Sequence, residues 1–152
     1  MEEIQNLIVT TLNSLADDIR QNMANANENA TGRTQASFEV KTDKDSISLV
    51  AKAGDRAPIS TLEIGRGAGK QPPIEAIEEW VTAKFGFVGK EATAFAWAVA
   101  KKISKIGTDR HYNNEDIYTT ATKETAKILK EDLQKKITEK IKENIIKAYR
   151  NG

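Results

Sequence analysis

Cysteine is absent from the 152 residues. That excludes a disulfide framework, a thiolate nucleophile and a cysteine metal cluster, and it gives an oxidising compartment no support. Histidine occurs once, at His111, so no second imidazole can share a metal and no nucleophile signature accompanies it in a triad. A surface histidine is expected, with no enzymatic chemistry and no cofactor. Large apolar residues are scarce as well: Leu, Ile, Val and Phe together number 33, about 22% of the chain and close to the composition at which chains stay disordered. A net charge of +1 argues against disorder, because no strong self-repulsion holds the chain open. A single domain with a thin core, completed by neighbouring subunits, is the expectation. The longest apolar run, Ala94 to Ala100, is too short for a membrane-spanning helix. The acidic start Met1-Glu2-Glu3 does not suit a signal peptide, so synthesis and folding in a cytoplasm are expected.

The near-neutral total hides an uneven distribution. Residues 1–32 carry a net −4, residues 33–83 carry −1, residues 84–112 carry +4 and residues 113–152 carry +2. An acidic N-terminal element and a basic middle could therefore meet between copies, or each could be an ordinary solvated face.

Ile4, Leu7, Ile8, Leu12, Leu15 and Ile19 recur at spacings of three and four, which predicts an amphipathic helix over residues 1–24. Residues 33–66 read as a small antiparallel sheet of about three to four strands. Phe38 and Val40 alternate with polar residues, Ile47 and Leu49 do so again after the turn Asp43-Lys44-Asp45, and a third strand is expected around Ile59 to Ile64. Residues 73–106 hold two helices, the first opened by Pro73 and carrying Ile74, Ile77, Val81 and Phe85 on one stripe. The second, after a break at Gly86 to Gly89, is expected to bury Phe95, Val99, Ile103 and Ile106 and to end at Gly107, with alternate alanines leaving room for close approach. From 116 to 150 neither Gly nor Pro interrupts a long C-terminal helix. The fold class is thus α+β, a sheet packed against helices between a long N-terminal and a long C-terminal helix.

That last helix would span on the order of 50 Å, more than a compact domain of this size can cover. Its apolar residues Leu129, Leu133, Ile137, Ile141 and Ile145 recur every four positions, so the stripe rotates by about 40° at each step. The expectation is that its first part packs on its own domain while Ile141 and Ile145 meet another subunit. The alternative is a helix curved around a single core, with Ile128 and Ile146 broadening the stripe.

Gly65-Arg66-Gly67-Ala68-Gly69-Lys70 fails as a phosphate-binding P-loop and as a dinucleotide fingerprint, because the required spacing and following Ser or Thr are missing. Paired carboxylates at Asp17-Asp18, Glu78-Glu79 and Glu131-Asp132 fall on expected exposed helix surface, where raised acidities for catalysis are not expected. Lys101, Lys102 and Lys105, with Arg110, could line a basic patch with phosphates as partners. A small nucleic-acid-binding protein using that helix is the second reading of the chain.

Three segments together carry a resemblance: Ala30-Thr31-Gly32-Arg33-Thr34 entering a strand; Leu62-Glu63-Ile64-Gly65-Arg66-Gly67-Ala68-Gly69-Lys70-Gln71-Pro72-Pro73-Ile74 with Trp80-Val81; and Ala94 to Ile103 closing at Ile106-Gly107-Thr108. In order and spacing these resemble the tail-completion or neck proteins of tailed bacteriophages. The aromatic residue that family members commonly carry ahead of the Glu has no counterpart among Ile59, Ser60, Thr61 and Leu62. The resemblance implies a virion structural protein that forms a homo-oligomeric ring, a hexamer or dodecamer, beside other neck, portal or tail proteins. DNA would pass through the lumen without sequence-specific contact, no membrane would be involved, and assembly would take place in the host cytoplasm. It further implies that Glu63 and Arg66, with Gly65, order the loop before Pro72-Pro73, either by a local salt bridge or by one between subunits, and that Arg33 and Lys70 lie at or near a subunit contact.

Overall fold

The computed structural model describes residues 2–26, 31–51, 61–108 and 117–150. Along the chain run α1 (Glu2–Asn25), α2 (Arg33–Ala36), β1 (Phe38–Thr42), β2 (Ile47–Ala51), α3 (Thr61–Ile64), α4 (Ile74–Phe85), α5 (Gly89–Ile106) and α6 (Thr119–Arg150). The architecture is α+β, with one antiparallel hairpin and long helices at both ends. The start of the expected third strand, at 59–60, lies outside the described residues, as do Arg110, His111 and the expected start of the last helix at 116.

The principal core is built where the apolar stripe of α1 meets the hairpin. Leu15, Ala16, Ile19 and Met23 are buried with Phe38 of β1 and Ile117, and Leu12, Leu49, Ala51 and Leu62 pack around them. Strand alternation puts Phe38 and Val40 toward α1 and leaves Glu39 and Lys41 exposed. The register pairs Phe38 with Ala51 and Val40 with Leu49, and the turn closes through the Asp43 N–H donating to the Ser46 carbonyl at 2.8 Å. Burial deepens toward the C-terminal half of α1, whereas Ile4, Leu7 and Ile8 are only half-buried.

A second apolar seam joins α4 and α5, and it differs from the expected one. Val81 is fully buried against Ala92, Ala96 and Ala100, while Phe95 is 39% exposed and Ile106 is 67% exposed. Val99 and Ile103 are half-buried as expected, but the fully buried positions of α5 are alanines, whose small side chains at a four-residue spacing allow the two helix backbones to approach closely. Phe85 and Phe95 sit beside the seam with Trp80 and Phe87 in an aromatic group whose ring centroids lie 5.4–5.9 Å apart. Across the seam the Thr93 hydroxyl donates to Glu78 at 2.7 Å.

Two local expectations are corrected. Thr61 to Ile64 is one turn of helix, not the end of a third strand, and the sheet among the described residues has two strands. Four residues are too few to separate a period of two from a period of 3.6, and the helical form turns Leu62 and Ile64 to different sides. Leu62 packs on the core and Ile64 is 77% exposed. Likewise Arg33 does not lead straight into a strand, because α2 intervenes. Pro73 caps α4 from the position before its first turn, with its carbonyl accepting from Ile77 N–H.

Candidate functional site

The glycine-rich segment after α3 is held by backbone contacts to the end of α5. Arg66 and Thr108 form an isolated antiparallel bridge: the Thr108 N–H donates to the Arg66 carbonyl at 2.7 Å, and the Arg66 N–H reaches the Thr108 hydroxyl at 2.8 Å. The Gly69 N–H donates to the Ser104 carbonyl at 2.9 Å. Gly107, in the left-handed region at φ +76°, is what permits this approach, since a Cβ there would lie 2.1 Å from the Arg66 carbonyl oxygen. The Arg66 guanidinium folds back onto the Lys70 carbonyl and so closes the loop before Pro72 and Pro73.

Glu63 does not pair with Arg66. Its carboxylate instead accepts from the backbone N–H of Tyr118 at 2.6 Å and of Thr119 at 2.8 Å, and from the Thr119 hydroxyl at 2.6 Å. Those two N–H groups are among the unpaired donors at the start of α6, so a side chain from α3 supplies the cap. Burial, the Glu63 charge and a hydrogen bond to Glu63 together push the Tyr118 phenol above its ordinary value. Arg33, expected near a subunit contact, forms an ion pair with Glu79 that ties α2 to α4.

The spacing offered Arg20 only an (i, i+3) pairing with Asp17, yet its main contacts reach α2 and the hairpin. Its guanidinium donates to the Gln35 and Phe38 carbonyls at 3.1 and 2.8 Å and pairs with Asp17, and Gln35 donates back to the Arg20 carbonyl. Its carbonyl partners, Gln35 and Phe38, come close only in the folded chain and leave no cue in the spacing.

The start of α6 packs on the C-terminal part of α1. Asn22 donates to the Ile117 carbonyl, and Asp18 and Asn25 share a polar cleft with Thr120, Glu124 and Ile128. Leu129 and Leu133 are half-buried, but every residue from 141 to 150 is exposed, including Ile141 (54%), Ile145 (58%) and Tyr149 (90%). The stripe leaves its own domain as the four-residue spacing requires. Lys70, Lys101, Lys102 and Lys105 are exposed, the last three on α5. Among the described residues no group of three or more His, Asp or Glu could hold a metal ion, and no helix is long and apolar enough to cross a membrane. Compared with models of known protein families, with curated proteins and with solved structures, the chain matches none.

Proposed function

We propose that the protein is a structural subunit of a tailed-phage virion, which joins further copies of itself in a ring at the neck or at the top of the tail. The observation that carries this reading is the free end of α6, where Ile141, Ile145, Ile146 and Tyr149 remain exposed beyond the reach of α1. Isolated surface apolar residues are ordinary, but four of them on the last three turns of one rigid helix form a patch that a partner would cover. A helix end that meets a different surface on its neighbour makes a head-to-tail contact, and such contacts generate rings when the rotation closes. The thin core fits the same reading, since much of the apolar surface would be covered only on assembly. The clamp built from Glu63, Arg66, Gly107 and Thr108 then acts as the rigid joint that sets the directions of α5 and α6.

The test is the size distribution of the purified full-length chain by analytical ultracentrifugation and electron microscopy as concentration rises, with mass spectrometry of purified virions. Rings of six or twelve copies, and the protein in finished particles, are expected. A compact monomer at every concentration, absent from virions, overturns the reading.

A further inference from the structure

The face of α5 turned away from the Ala92, Ala96, Ala100 seam is assigned no partner by the ring. At 100° per residue Lys90, Trp97, Lys101 and Lys105 fall within about 80° of one another, and Lys102 lies about 60° beyond Lys105 on the same exposed side. All four lysines are exposed and Trp97 is 53% exposed. Over this stretch the helix carries a single acid, Glu91, so its charge from Lys90 to Lys105 is +3. Among the described residues none of the four lysines is held in an ion pair and Trp97 stacks on no other ring. Ala94 and Ala98, both exposed beside it, leave the indole accessible.

We infer that this face binds single-stranded nucleic acid, with phosphates on Lys90, Lys101, Lys102 and Lys105 and one base stacked on Trp97. Lysines spread over about 22 Å of helix track a backbone of repeating negative charge. An exposed aromatic ring between them accepts an unpaired base through its π-face and has no equivalent use against a closed duplex. The site is carried by one subunit, so it does not depend on ring formation.

The experiment uses the full chain carrying Trp80→Phe, which leaves Trp97 as its sole tryptophan, with far-ultraviolet circular dichroism as the check on folding. Titration with oligothymidylate should quench the Trp97 fluorescence. Four phosphate contacts predict a loss of affinity of roughly 50-fold between 50 and 200 mM salt. In the wild-type background, Trp97→Ala should weaken binding about 5- to 150-fold, and Lys101→Gln should lower the salt slope by about 0.7. Three results overturn the proposal: no binding at 50 mM salt, equally tight binding of a duplex without quenching, or equally tight binding of polyglutamate, which would assign the face to an acidic protein.

Discussion

Glu63 illustrates how one side chain can set the direction of a whole element. Its carboxylate satisfies two backbone donors 55 and 56 positions away, and a neutral amide in its place would lose the charge-assisted part of both bonds. Glu63→Ala should cost about 1–2 kcal/mol in urea unfolding and speed amide exchange at Tyr118 and Thr119. Gly107→Ala should be more severe, above about 2 kcal/mol, because a disfavoured backbone conformation and a clash with the Arg66 carbonyl act together. Tyr118 adds a pH dependence of definite sign. Its folded phenol holds the proton more tightly than the ordinary value of 10.0, through burial first and Glu63 second. The resulting stability is fully present below that value and is lost as pH rises through the folded one. Tyr118→Phe, which has no proton to lose, should flatten this alkaline limb when urea midpoints are compared on either side of pH 10.

Among the elements, α1 and α6 contrast most. Met23 of α1 is fully buried in the principal core, so Met23→Ala should cost about 2–5 kcal/mol by thermal or urea unfolding. Ile145 of α6 is more than half exposed, so Ile145→Ala should change monomer stability by less than about 0.5 kcal/mol. The α4–α5 seam depends on smallness rather than bulk. Ala96→Leu should force the helices apart and cost about 1–3 kcal/mol. Its apolar period was legible in the sequence, but the contact fell on the alanines because hydrophobic size does not reveal how closely two backbones approach. The hairpin was legible to its turn, since the alternation of Phe38 and Val40 and the turn residues Asp43-Lys44-Asp45 pointed the same way. The one-turn helix α3 was not, because four residues carry too little periodicity to separate helix from strand.

For the whole molecule, the decisive quantity is the mismatch in length between α6 and the surface available to it. Thirty-two helical residues extend past a 24-residue partner, and the last three turns carry apolar side chains into solvent. Removal of residues 141–150 should leave the urea midpoint of the monomer nearly unchanged while abolishing the assembly seen by ultracentrifugation. Arg66→Ala should likewise reduce ring formation in a chain that still folds, because the Arg66 guanidinium closes its loop whereas the Thr108 bridge uses its backbone. Normal rings from either variant would remove the corresponding part of the proposal.

Local chemistry was sufficient to place the long helices, the turn at Asp43-Lys44-Asp45 and the breaks at Gly86 and Gly107, because each depends on neighbouring residues and on backbone angles they allow. It was also sufficient to show that the apolar stripe of the last helix rotates away from any straight groove. Tertiary structure alone decided that Glu63 caps α6, that Arg33 pairs with Glu79 and that Arg20 holds the α1–β1 corner. Those pairings join groups that come together only when the helices pack, and no spacing along the chain encodes which of several compatible partners will arrive.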